Sequence, residues 1–146
     1  MDPPRVTLEP AAEDLPYVRG LLVANDLPSA DVDAAADALY LAVDGDERVG
    51  IGGLERHGDA GLLRSVVVEA ATRGQGYGTA ICDALERRGR ESGLDAIYLL
   101  TTTASQFFAA RGYEAIDRTA APESIRATPE FEDLCPADAT CMRRRL

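Results

Sequence analysis

Lysine and tryptophan are missing from these 146 residues, histidine occurs once and cysteine three times. Without lysine there is no G-K-[ST] element, so a P-loop nucleotide site is excluded. A single histidine, His57, and three cysteines, Cys82, Cys135 and Cys141, with no C-x-x-C pair, are too few for a closed zinc site, and no metal is expected. A soft-ion site on the three thiols is the competing reading, and reduced thiols packed in a core fit better. No apolar run approaches the ~20 residues that span a bilayer. Met1-Asp2-Pro3-Pro4-Arg5 lacks the charged and apolar regions of a secretory leader, so a soluble, cytoplasmic protein without membrane contact is expected.

What is present is acidic. All 15 basic residues are arginine, set against 25 acidic ones, for a net charge of −10 and a pI near 4.5. Such a surface repels phosphate backbones, so no nucleic-acid partner is expected. The one basic run, Arg143-Arg144-Arg145, reads as a solvated tail. A hydrophobic fraction of 46% over this length suits one globular domain, residues 1–146.

Hydrophobic periodicity gives the elements. Val6–Glu9 reads as a short strand, Glu13–Asn25 as an amphipathic helix and Asp31–Asp37 as a second short helix. Leu39–Val43 and Arg48–Glu55 read as a hairpin about Asp44-Gly45-Asp46. Gly61–Val68 is the strongest strand, and its branched residues predict burial on both faces. A helix from Gly76 to Ser92, ended by Gly93, buries Ala80, Ile81, Ala84 and Leu85. A strand over Ala96–Thr101, a helix over Ala104–Arg111 and a strand over Tyr113–Asp117 follow. A short helix within Pro122–Leu134 and a last strand over Ala139–Arg143 complete the chain. The order predicts an α/β domain: one mixed, mostly antiparallel sheet of six to seven strands with helices on both faces.

The chemistry is concentrated where the strongest strand runs into Glu69-Ala70-Ala71-Thr72-Arg73-Gly74-Gln75-Gly76-Tyr77-Gly78 and then a helix. Alternate glycines let the backbone turn its N–H groups toward an anion, and the helix start adds orphan donors with a partial positive charge. Backbone donors suit a pyrophosphate even in an acidic protein. A dinucleotide turn would read G-x-G-x-x-G; this one reads G-x-G-x-G after an arginine, in mid-chain.

Arg73-Gly74-Gln75-Gly76-Tyr77-Gly78 resembles the acetyl-CoA signature [RQ]-x-x-G-x-[GA] of the GNAT acetyltransferases. Val66-Val67-Val68-Glu69 is similar to that family's fourth strand, and Ala104–Tyr113 to its penultimate helix and following strand. Leu63-Arg64-Ser65, Tyr98–Ala104, Ile125–Thr128 and Leu134-Cys135-Pro136 resemble the branch associated with arsenic-resistance gene clusters. The resemblance implies the GNAT fold and acetyl-CoA as co-substrate. The acetyl group would pass directly to a small-molecule amine, amino-acid-like or arsenic-containing. It also implies a coenzyme site of Val66, Val67, Val68, Arg73, Gly74, Gln75, Gly76, Tyr77, Gly78, Thr79 and Phe108. A backbone N–H among Val66, Val67 and Val68, with Val67 at the centre, would meet the oxyanion.

For the proton, Glu55 is the first candidate base. A tight turn after His57 pairs position 55 with 62 and puts Glu55 and Arg64 diagonally on one face, where a plain ion pair is the competing reading. Arg64 is expected to hold an acceptor's anionic group, with Thr102, Thr103 and Arg126 on the acceptor side; capping or surface roles are open for these. Glu69 is expected to face solvent. Phe108 stands where many family members carry an acid tyrosine, and Thr101 where they carry asparagine, which puts the leaving-group acid in doubt. Protein N-terminal acetylation and a non-catalytic acyl-CoA-binding module are the alternatives, and a homodimer is left open.

Overall fold

The computed structural model describes residues 4–27, 29–129, 131–132 and 139–146. Seven strands form one sheet in the order β1-β2-β3-β4-β5-β7-β6. They are β1 Thr7–Pro10, β2 Leu39–Asp44, β3 Glu47–His57, β4 Ala60–Val68, β5 Ala96–Thr101, β6 Glu114–Ile116 and β7 Thr140–Arg145. The helices are α1 Leu15–Ala24, α2 Tyr77–Glu91, α3 Ser105–Ala110 and α4 Glu123–Arg126. Neighbouring strands are antiparallel except β4 and β5, which run parallel, so the sheet is mixed as expected.

Local chemistry explains the turns. Gly45 (φ 63°) and Gly58 (φ 65°) supply the left-handed residues that the β2–β3 and β3–β4 hairpins need. Gly93 (φ 82°) and Gly112 (φ 96°) close α2 and α3 in the same way. The helix expected at Asp31–Asp37 is instead a series of turns leading to a 3-10 turn at Ala36–Ala38. Val32 and Ala35 are buried there, and the Asp31 carboxylate is drawn away to Arg64.

Side chains sort cleanly by face. Ile81, Cys82 and Leu85 of α2 and Phe108 of α3 pack with Leu63, Ile97, Leu99 and Met142 on one side. On the other, Val18 and Leu22 of α1 cover Leu39, Leu41, Ile51 and Val67, and Ile125 of α4 covers Leu62, Tyr98 and Cys141. Ile81 and Leu85 are fully buried, each contributing roughly 2 kcal/mol of apolar burial. Cys82 and Cys141 are free buried thiols in different clusters; Cys135 and the Leu134–Pro136 segment lie outside the described residues. The Arg143–Arg145 run is not a tail: all three belong to β7, in register with Tyr98, Ile97 and Ala96. No helix among the described residues is long and apolar enough to cross a membrane.

Candidate active site

Two irregularities in β4 create the site. The first is a bulge. Ile51 pairs with Val67 but Gly53 pairs with Arg64, so Ser65 and Val66 together face one residue of β3. Ser65 takes φ 58°, a left-handed conformation in the middle of a strand. The extra residue puts Val66 on the α2 face with Leu63, and Val67 on the face of Ile51 and α1.

The second is a splay. β4 and β5 pair only over Ala60↔Ala96, Gly61↔Ile97 and Leu62↔Tyr98 and then diverge. Between them opens a cleft of about 660 Å³, walled by Leu63–Val68 on one side and Leu99–Ala104 with Phe108 on the other. Asn25, Asp26, Leu27 and Arg73 line its mouth. The backbone of Val67 faces β3, where its carbonyl sits 2.2 Å from the point a Cβ on Gly50 would occupy. Strand alternation therefore turns Val66 and Val68 toward the splay. The oxyanion donor expected at Val67 is corrected on this ground: its N–H is directed at β3, and its two neighbours face the cleft.

Beyond β4, a 3-10 turn at Ala70–Thr72 leads into the glycine-rich turn and α2. Gly74 (φ 81°) and Gly76 (φ 88°) both need the left-handed region, and a Cβ on Gly76 would meet Pro4 Cδ at 3.3 Å. Gly76 caps α2 without a side-chain bond. Among the described residues no intramolecular acceptor takes the N–H groups of Gly74 to Thr79. Six backbone donors at a helix start thus stay available for an anion. Tyr77 contributes there through its backbone, since its ring is buried and its hydroxyl donates to Asp44 Oδ2 at 2.5 Å. Arg73 spans the mouth, donating Nε to the Val68 carbonyl at 3.3 Å and Nη2 to Asn25 Oδ1 at 2.5 Å.

Arg64 is the buried charge of the site, its side chain fully covered. The expected diagonal with Glu55 is present: Glu55 pairs with Leu62, and Arg64 Nη1 donates to Glu55 Oε2 at 2.7 Å. Sequence reasoning missed the larger partner. Asp31 takes the guanidinium in a two-pronged bond, Nη1 to Oδ2 at 2.5 Å and Nη2 to Oδ1 at 2.6 Å. Arg64 Nε donates to Ser65 Oγ at 3.1 Å. Among the described residues two carboxylates, one of them shared with His57, hold this one guanidinium. Glu55 shares its other oxygen with His57 Nε2 at 3.1 Å and does not line the cleft.

Among the other expected residues, Thr102, Thr103 and Phe108 line the cleft with Arg64, while Arg126 does not. Arg126 donates Nε to the Ala121 carbonyl at 3.0 Å, just before α4. Thr101 holds the turn before α3, its hydroxyl oxygen accepting the Ala104 N–H at 3.0 Å. Glu69 is not turned to solvent: Tyr17 donates its hydroxyl to Glu69 Oε1 at 2.5 Å, tying α1 to the end of β4. Burial first, and then this bond to a carboxylate, push the Tyr17 hydroxyl pKa well up.

The model of the acetyltransferase (GNAT) family matches residues 10–116. This chain belongs to the GNAT family. An amino-acid acetyltransferase of Mycobacterium tuberculosis is 33% identical over 77 residues, which are 53% of this chain and 41% of that protein. The chain therefore matches less than half the length of that relative. Rv2747 of M. tuberculosis, solved in complex with CoA, is 25% identical and superposes over 96% of this chain and 99% of its own, with a TM-score of 0.78. N-acetylglutamate synthase of Neisseria gonorrhoeae, solved with coenzyme A and N-acetyl-glutamate, superposes over 99% of this chain but 36% of its own. Its TM-score is 0.82, and at 19% identity the likeness is one of fold.

Proposed function

We propose that residues 1–146 act as one acetyl-CoA-dependent N-acetyltransferase whose acceptor is a small amino-acid-like amine. The observation that carries the reading is the junction of two features, a splayed β4 with outward backbone groups and a row of six unpaired N–H groups at the start of α2. The pyrophosphate of acetyl-CoA would rest on the N–H groups of Gly74 to Thr79, and its thioester arm would lie along Val66 and Val68. Arg73 would leave the Val68 carbonyl as the arm enters. Val66, the farther of the two from the glycine turn, would present its N–H to the thioester carbonyl. One such donor contributes about 3 kcal/mol to lowering the barrier.

The amine's lone pair forms the C–N bond as the carbonyl electrons move to oxygen. Collapse breaks the C–S bond and leaves the pair on sulfur. Glu55, with both oxygens engaged, serves as a support for Arg64, and the amine proton passes to water in the open cleft. Phe108 offers the sulfur no proton, and a thiolate leaves without one.

Supporting the acceptor class is the amino-acid acetyltransferase among the relatives. An anionic group could reach Arg64 only by displacing a carboxylate, so we assign the acceptor's carboxylate to Thr102 and Thr103. This revises the anion-holding role expected of Arg64. The resemblance to the arsenic-resistance branch makes an amino-acid-like arsenical one arm of the acceptor panel.

The test is thiol release from acetyl-CoA across amino acids, simple amines and polyamines, beside coenzyme titration of the parent and Gly76→Val. Amino acids should turn over best, and Gly76→Val should lose coenzyme binding while folded. A folded Gly76→Val protein with unchanged affinity would remove the cradle from the reading.

A further inference from the structure

Among the described residues Ser65 is the one non-glycine residue inside a strand that takes a left-handed backbone, and nothing in the turn chemistry of the hairpins requires it there. A side chain in that region costs about 1 kcal/mol or more, and strain of this kind persists where the surroundings over-determine it. The surroundings here do so. Ser65 sits in the bulge between Arg64, whose guanidinium Asp31 and Glu55 hold rigid, and Val66, whose backbone turns to the splay. Its Oγ accepts the Arg64 Nε–H at 3.1 Å, which fixes where the oxygen stands. Among the described residues no acceptor takes the Ser65 hydroxyl hydrogen, and the residue lines the cleft, half-buried.

A hydroxyl that accepts from a guanidinium is polarised and becomes a stronger donor through its remaining hydrogen. That hydrogen and the Val66 N–H belong to adjacent residues that both line the cleft. Two donors placed before the chemistry begins form the usual arrangement for a developing oxyanion. The opposite wall carries Phe108, which has no donor to offer.

We propose that Ser65 is a catalytic residue whose hydroxyl, oriented by Arg64, donates a hydrogen bond to the thioester oxygen beside the Val66 N–H. This rests on the acetyltransferase reading above. Ser65 keeps its own proton throughout: the oxygen gains the carbonyl pair as the amine adds and returns it as the C–S bond breaks. The Asp31–Arg64–Glu55 cluster then has a positioning role, setting the direction of the Ser65 hydroxyl.

The experiment compares the parent with Ser65→Gly and Ser65→Ala. Glycine accepts φ 58° freely, so Ser65→Gly removes the hydroxyl without adding backbone strain. Turnover of the best amine should fall about 100-fold in both variants, with acetyl-CoA affinity unchanged. A second measurement does not need turnover: the infrared carbonyl stretch of carbonyl-13C acetyl-CoA, bound and free. Binding to the parent should lower the stretch, and Ser65→Gly should return most of that shift. An unchanged kcat together with an unchanged stretch in Ser65→Gly would overturn the proposal while leaving the acetyltransferase reading intact. A parent that binds no acetyl-CoA would overturn both.

Discussion

At the scale of single residues, the strongest constraint is charge without solvent. The Arg64 side chain is fully covered, and Asp31 and Glu55 are 11% and 16% exposed. Removing one member of such a cluster strands the others, which costs about 3 kcal/mol or more. Arg64→Gln should therefore lower the free energy of unfolding by about that amount. Arg64→Lys should fall between, because an ammonium keeps the charge but loses the fork that Asp31 grips. Urea titrations of the three proteins check the order, and equal stability of parent and Arg64→Gln would show the cluster to be slack. Cys82 gives a pH dependence with a defined sign. Burial pushes its thiol from 9.0 up to about 12. Between those values the unfolded chain releases a proton that the folded chain keeps. This contribution is whole below about pH 9 and lost as pH rises to about 12, at most on the order of 4 kcal/mol. Replacing Cys82 by Ala should flatten that alkaline loss, measured as stability at pH 8 against pH 10.5.

At the scale of elements, α2 shows what periodicity reveals and what it hides. Its apolar stripe and its glycine boundaries were legible because they are local: 3.6-residue spacing and the backbone freedom of Gly76 and Gly93. Glu86, in the same helix, reads as an ordinary surface glutamate, yet it is 2% exposed. Arg111 and Arg144 reach its Oε1 at 2.7 and 2.9 Å, and Tyr113 donates to its Oε2 at 2.9 Å. These partners lie 25 to 58 residues away in sequence. No local pattern encodes them. The same distance hid Asp31 from Arg64 and made the Arg143–Arg145 run look like a tail. The bulge at Ser65 was invisible for another reason, since serine carries no preference for φ 58° and only the two-against-one pairing with β3 forces it. By contrast, the Glu55–Leu62 register followed from the length of one tight turn. Glu86 joins α2 to the end of α3 and to β7, so Glu86→Gln should strip Arg144 of its carboxylate and leave Arg111 on Asp83 alone. A loss of about 3 kcal/mol, near 10 °C in Tm, is expected. Coenzyme affinity measured well below the transition should not change, because the cradle lies at the opposite end of the helix. A coupled loss of affinity at low temperature would mean that this network also sets the cradle.

At the scale of the whole molecule, a chain with 25 acidic and 15 basic residues must fold against its own field. The described pairs recruit arginine where it is most effective. Arg64 and Arg111 each meet two carboxylates, and Glu86 meets two guanidinium groups. Among the described residues, ion pairs concentrated in a few covered networks leave much of the remaining acidic charge facing water without a cation beside it. Repulsion among such charges acts over the Debye length, about 10 Å at 0.1 M salt and about 3 Å at 1 M. The covered pairs are screened far less than the exposed acids. Added salt should therefore relieve repulsion more than it weakens attraction. The melting temperature is expected to rise between 0.1 and 1 M potassium chloride by several degrees, since about 1 kcal/mol moves Tm by about 3 °C in a chain of this size. Chloride and potassium sit near the middle of the salting-out order, so most of the shift at these concentrations is electrostatic. A parallel series in neutral osmolyte separates the remainder. If Tm falls with salt instead, exposed pairs such as Arg19–Asp33 and Arg48–Asp14 carry more of the stability than the buried networks do.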